Sequence, residues 1–227
     1  MTRTAIVAGA GGDAGRAICL ALRERGFHVV GAARDRARLD AELDGACAEL
    51  VEVDLTSPDA VGRAFQQREA AALIYNAGRI DLATLAETTP EAFEASWRTN
   101  AFGAFLAARA LAPAMLARRG GTMVFVGATS AVRGGGRTHA FASAKHALRG
   151  LARALAAELG PGGVHVAHVI VDGKIWGART RRRFPDAREA DCLAPTDVAA
   201  AVCALIEQPR SAWTFELDLH TQPNGSA

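Results

Sequence analysis

The run Ala8-Gly9-Ala10-Gly11-Gly12-Asp13-Ala14-Gly15-Arg16 carries the clearest chemical signal in the sequence. It joins a short apolar stretch to a segment of helical spacing. Glycines at such a turn let the backbone approach a pyrophosphate, whose charge then rests on a helix N-terminus. Gly9, Gly11, Gly12, Asp13, Ala14 and Gly15 are therefore candidate dinucleotide-binding residues. The carboxylate of Asp13 would lie near such a pyrophosphate, and like charges within ~4–6 Å repel. The competing expectation is an Asp that caps the helix and points away. A second charged group is Arg179, Arg181, Arg182 and Arg183, in one segment with Trp176 and Phe184. It reads either as a solvated basic lid or as a device that steers an anionic, phosphorylated or carrier-bound substrate. The two aromatics would form an apolar wall. No metal site is expected: the histidines are scattered, and His139 and His146 are too far apart to serve one ion. Cys19, Cys47, Cys192 and Cys203 form no CxxC and read as reduced packing residues of a cytoplasmic protein.

The elements that must position these residues alternate strand and helix. Strands are predicted at 3–8, 27–33, 48–53, 71–75, 122–127, 164–171 and 213–219. Helices are predicted at 14–25, closed by Gly26, and near 35–44, 102–118, 139–159 and 197–207, the last capped by Thr196-Asp197. Two further helices start at Ser57-Pro58 and Thr89-Pro90, each a hydroxyl N-cap followed by proline at the first helical position. Continuous apolar, β-branched runs between helices indicate a parallel sheet buried on both faces, with right-handed crossovers. Residues 174–195 form one long irregular segment, a candidate substrate loop or lid. With 227 residues, 50% hydrophobic and 22% charged, the chain suits one domain over 1–227. A net charge of +2 gives no footprint for nucleic acid. No apolar run reaches the ~20 residues of a membrane helix, and the N-terminus lacks the features of a signal peptide.

Further segments follow in order: Asp54-Leu55, Asn76-Ala77-Gly78, Asn100 within Arg-Thr-Asn-Ala-Phe-Gly, Ser130, Phe141-Ala-Ser-Ala-Lys145 and Asp172-Gly173-Lys174-Ile175. With the glycine turn, they make nearly the whole chain resemble the short-chain dehydrogenase/reductase family. The resemblance implies an α/β Rossmann-type doubly wound fold, with a mostly parallel seven-stranded sheet and helices on both faces. It implies that Asp54 and Leu55 contact adenine and that Asn76, Ala77 and Gly78 line the cofactor. Asn100, Ser130 and Lys145 match catalytic positions, Lys145 also holding the cofactor ribose. Asp172, Gly173 and Ile175 stand in the family's PGxV segment. A homodimer or homotetramer is implied, through helices 102–118 and 139–159, whose alanine- and leucine-rich faces allow close packing.

The departures from the family pattern matter as much. Asp13 takes the place of the middle glycine of GxxxGxG, although Gly9, Gly12 and Gly15 also read as GxxGxxG. Phe141 stands where the family has its catalytic tyrosine, and the single tyrosine of the chain is Tyr75, at a strand end. Phenylalanine can do no acid–base work, and losing a positioned acid typically removes ~10²–10⁴-fold of rate. Thr129, Ser130 and His139 are candidate replacements. Ser143 and Tyr75 are expected to lie away from the cleft. At the end of the second strand, Ala33 replaces the acidic residue that binds the ribose of NAD. Arg34 follows and could grip a 2′-phosphate, helped by Arg16 and opposed by Asp35. NADP(H) is therefore expected over NAD(H). The expected activity is carbonyl reduction or alcohol oxidation with an atypical proton donor. The alternatives are a nucleotide-binding pseudoenzyme or sensor, and a non-redox lyase or isomerase that reuses the cleft.

Overall fold

The computed structural model describes residues 3–43 and 45–221. Seven strands form one sheet: β1 Thr4–Ala8, β2 His28–Ala33, β3 Glu49–Glu52, β4 Ala70–Tyr75, β5 Gly121–Val126, β6 Val164–Asp172 and β7 Glu216–His220. Their order is β3-β2-β1-β4-β5-β6-β7, and every neighbouring pair is parallel. The expected sheet is thus present without an antiparallel strand. The order reverses between β1 and β4, the switch point where doubly wound sheets bind ligands beyond their strand ends.

The described residues form eight α-helices, α1 Gly12–Glu24, α2 Arg36–Glu42, α3 Pro58–Phe65, α4 Pro90–Trp97, α5 Gly103–Ala117, α6 His139–Leu159, α7 Ala178–Arg183 and α8 Pro195–Ile206. The inner strands β1, β2, β4, β5 and β6 are buried on both faces because alternate residues serve two cores. Ile6, Leu73, Tyr75 and Phe125 pack with Leu111, Met115 and Leu148 on one side. Val7, Ile74, Val124 and Val169 pack with Ile18, Leu22 and Val202 on the other. Ser57 and Thr89 cap α3 and α4 as expected, accepting the backbone N–H of Ala60 at 3.3 Å and Ala92 at 3.2 Å.

Four expectations are corrected. Thr196 and Asp197 do not cap α8: the helix begins at Pro195, which has the backbone angle of a first turn built in, and its N-cap Ala194 provides no side-chain bond. The 174–195 segment is not irregular throughout. Ile175 bridges Leu193 in parallel, α7 lies between them, and a 3-10 turn spans Glu189–Asp191. The final strand runs from Glu216 to His220, starting later than expected. The last correction concerns length: α4, a π turn at Arg98–Phe102 and α5 run on as one helix from Pro90 to Ala117, long and apolar enough to cross a membrane. Half of its apolar window is buried inside the protein, as the sheet-packed face of a core helix should be.

Candidate active site

The turn between β1 and α1 is shaped by close backbone approach. Gly9 adopts φ +87°, and a Cβ there would sit 2.8 Å from the carbonyl carbon of Asn76 and closer still to Ala77. Asn76 closes the contact, its Nδ2 donating to Gly9 O at 2.8 Å, while the Asn76 and Ala77 N–H groups donate to Ala8 O. Gly15 permits α1 to pack on its own entry turn, since a Cβ would overlap the Ala10 carbonyl. Gly12, at φ +79°, has nothing within 4 Å of its Cβ position. These three glycines therefore hold a turn that is braced from β4 and has room at the Gly12 Cβ position. Gly11 is the N-cap, and Ala14 follows in the first turn.

Two carboxylates sit at this turn. Gly12 N donates to Glu42 Oε2 at 2.7 Å, so the end of α2 folds back on the N-terminus of α1. Asp13 lies in the first turn of α1 rather than at its cap, and its carboxylate faces Gly177 at the start of α7. The segment 174–195 is thus docked on α1 through Asp13. Arg34 is exposed beyond β2. Asp54 is also exposed; its Oδ1 accepts from Thr56 N at 2.9 Å and Oγ1 at 2.8 Å, which holds its carboxyl below the usual range. The Leu55 side chain belongs to the core, leaving only its backbone for a nucleotide.

The second half of the site gathers around Lys145. Asn100 is fully buried in the π turn, and its Nδ2 donates to Arg79 O and Ser96 O, both at 2.9 Å. A π turn widens the helix locally and often marks a functional position. The Asn100 Oδ1 has no partner among the described residues. It lies 3.3 Å from a Cβ position on Gly78, and Lys145 Nζ lies 3.8 Å from the same point. Lys145 is 5% exposed and its Nζ donates to Val126 O at 2.8 Å. Burial pushes its ammonium down to about 8. The Phe141 ring, one turn earlier on α6, is buried with its centroid 5.8 Å from Nζ.

Ser130 sits half-buried in a 3-10 turn after β5, and its hydroxyl has no bond among the described residues. Its neighbour Thr129 donates to Asp172 Oδ1 at 2.5 Å, and Arg133 pairs with Asp172 at 3.4 Å. Asp172 thus braces the Ser130 turn from the end of β6. Gly173 packs under Leu193, and Ile175 lies in the bridge to Leu193. Of the candidate acids, Thr129 is engaged by Asp172 and His139 by Thr88, and Tyr75 lies away from the cleft as expected. His139 Nε2 bonds Thr88 Oγ1 at 2.8 Å. Tyr75 is fully buried, donates to Thr99 O at 2.6 Å, and has its phenol pushed up by burial. In the 174–195 segment, a cavity of about 400 Å³ is lined by Lys174, Arg183, Phe184, Asp186 and Asp191. Its charges are mixed rather than purely cationic.

The chain therefore brings a braced glycine turn, Asn76–Gly78, Asn100, Ser130 and Lys145 to the C-terminal ends of β1, β4 and β5. A family profile for short chain dehydrogenase matches residues 3–175. The chain belongs to the short-chain dehydrogenase/reductase family. It is 36% identical over 136 residues to the 3-oxoacyl-[acyl-carrier-protein] reductase MabA of Mycobacterium avium, covering 58% of this chain and 53% of that protein. The match thus spans about half the length of that relative. Galactitol 2-dehydrogenase (L-tagatose-forming) of Cereibacter sphaeroides is 32% identical over 224 residues, covering 88% of this chain and 86% of that protein. The crystal structure of a short-chain dehydrogenase from Rhodopseudomonas palustris superposes with a TM-score of 0.80 at 32% identity, covering 96% and 98% of the two chains. The sequence suggests no role in the site for Glu42 or His168. Only the folded chain brings Glu42 to Gly12 and His168 beneath Lys145.

Proposed function

We propose that the protein is an NAD(P)(H)-dependent oxidoreductase acting on a carbonyl or alcohol substrate, with NADP(H) preferred over NAD(H). The observation that carries this reading is the buried Lys145 ammonium, facing the unpartnered Asn100 Oδ1 across Gly78 beside the glycine turn. A dinucleotide fits these residues once Glu42 leaves the Gly12 N–H: the Gly12 Cβ position is clear, and the buried Oδ1 is an acceptor in want of a donor. Gly9, Gly11, Gly12, Ala14, Gly15, Asp54, the Leu55 backbone, Asn76, Ala77, Gly78, Gly173 and Ile175 would hold it, with Lys145 at the ribose. When bound, it would supply or take up the hydride.

The remaining work falls to the chain. Ser130, with a free hydroxyl, polarises the substrate oxygen. Lys145, protonated at neutral pH and able to release a proton near pH 8, passes it to that oxygen through water in place of the missing phenol. Phe141 shields the amine and takes no part in proton transfer. Arg34, exposed at the end of β2, supports a preference for a 2′-phosphate; Glu42 at Gly12 opposes it and must give way. The arginines of α7 support an anionic or carrier-bound substrate. Exposed Phe93, Trp97, Phe105 and Leu116 on α4 and α5 support a homodimer or homotetramer. Four free cysteines suit a cytoplasmic location.

The test is titration with NADPH and NADH by calorimetry, followed by turnover of a carbonyl panel. Tighter binding of NADPH with turnover supports the reading, and binding of neither cofactor refutes it. A second reading, a nucleotide-binding sensor, is favoured by Phe141 lying against Lys145 and by the Glu42 carboxylate on Gly12. Binding without turnover on any carbonyl selects it.

A further inference from the structure

Beneath Lys145 lies a buried histidine that neither cofactor nor substrate would touch. His168 on β6 is fully buried. It shares strand parity with Val164 and Val166, which pack with Leu148 and Ala152 of α6, so it points to the α6 side. Its Nδ1 lies 3.1 Å from Glu216 Oε2 on β7. Glu216 also takes two bonds from Arg149 of α6, at 2.6 and 2.7 Å, and its carboxyl is held down to about 2, Arg149 being the main cause. A carboxylate only accepts, so the proton of the neutral ring sits on Nδ1. Burial holds the ring neutral, its imidazolium falling to about 4, and the nearby Lys145 and Arg149 add to this. Nε2 is then a lone-pair acceptor.

That Nε2 has no partner among the described residues. It points at Gly127, where a Cβ would overlap it and lie 2.7 Å from Cε1. Gly127 directly follows Val126, whose carbonyl takes one of the three protons of the Lys145 ammonium. Two protons remain, and two wholly buried acceptors lack a partner among the described residues: Asn100 Oδ1, which meets Lys145 across Gly78, and His168 Nε2, whose ring is near enough to feel the Lys145 charge. We propose that His168 is a positioning residue for Lys145: the Glu216–Arg149 pair fixes its Nε2 as an acceptor, and Nε2 takes a bond from the Lys145 ammonium directly or through one water, keeping the amine charged. The charged and titratable groups around this unit are Lys145 and Arg149 on α6, His168 on β6 and Glu216 on β7. From β5 and the π turn come the Val126 carbonyl and the Asn100 amide. The proposal deepens the assigned role of Lys145 and rests on it.

The sequence has two lysines, Lys145 and Lys174, so the amine can be read directly. Protein labelled with 13Cε-lysine is titrated by NMR, and Lys174→Arg assigns the two signals. The wild-type Lys145 midpoint is expected near 8. In His168→Leu it should fall by about one pH unit, a tenfold loss of proton affinity. His168→Gln, which keeps an acceptor, should stay close to wild type. Glu216→Gln, which frees the tautomer, should shift the midpoint down. An unchanged midpoint in folded His168→Leu overturns the proposal; if that variant does not fold, an unchanged midpoint in Glu216→Gln does. No cofactor or substrate is needed. Failure to bind NAD(P)H would thus refute the oxidoreductase reading and leave the His168 coupling standing, and an unshifted midpoint would do the reverse.

Discussion

Gly177→Ala should lift the lid from α1. A Cβ at residue 177 would lie 2.6 Å from Asp13 Oδ1 and closer to Cγ and Oδ2. Ordinary contact begins at 3.4 Å, so the deficit is at least 0.8 Å. Asp13 is fixed in the first turn of α1. Either its side chain swings toward the glycine turn or α7 moves outward, and overpacking of this kind costs ~1–3 kcal/mol. In an Asp13→Gly background the obstacle is gone, and the same substitution should cost ~1–2 kcal/mol less. The backbone cost at Gly177, φ +157°, is common to both backgrounds and cancels. Urea unfolding of the wild type, both single variants and the double variant yields this coupling. Trypsin should cut the Arg179–Arg183 segment faster in Gly177→Ala alone. Additivity within ~0.5 kcal/mol, with equal cleavage rates, would show that Asp13 does not dock the lid.

Other outcomes follow from the same geometry. Phe141→Tyr places a phenol beside Lys145 and should raise kcat by ~10²–10⁴-fold, read by steady-state kinetics on any accepted carbonyl; an unchanged kcat would mean that the missing acid is not what limits the rate. Lys145 is depressed from 10.5 to about 8, so the unfolded chain binds more protons between those values and stability should rise with pH across that window, on the order of 3 kcal/mol at most; Lys145→Met should flatten the rise in urea titrations. His168 is depressed from 6.5 to about 4, so stability should fall as pH drops from 6.5 to 4, and His168→Gln should remove much of that slope. Tyr75→Phe leaves the Thr99 carbonyl without its donor and should cost ~1–3 kcal/mol in thermal unfolding, with no change in the pH profile of turnover.

The parts legible in the sequence were those with local causes. Proline and hydroxyl caps marked α3 and α4, unbroken apolar runs marked buried strands, and the order of short motifs marked the family. Those missed depend on distant or weak signals. The short helix α7, Ala-Arg-Thr-Arg-Arg-Arg, has no apolar stripe to betray it. The π turn has no compositional mark, because it arises where Asn100 turns inward between two packed helices. Glu42 reaches Gly12 across 30 residues, and the Glu216 that fixes His168 is 48 residues away. Asp13 was expected beside a pyrophosphate or as a cap pointing away from it; its carboxylate meets Gly177, a contact that no local pattern announces.

The central claim is that this site transfers a hydride despite Phe141. The most direct measurement is single-turnover reduction of a carbonyl panel with NADPH deuterated at the transferring position, with product mass read by mass spectrometry. The account predicts product one deuterium heavier, formed by the wild type and lost in Lys145→Met. Bound cofactor that never delivers deuterium to any carbonyl would contradict it.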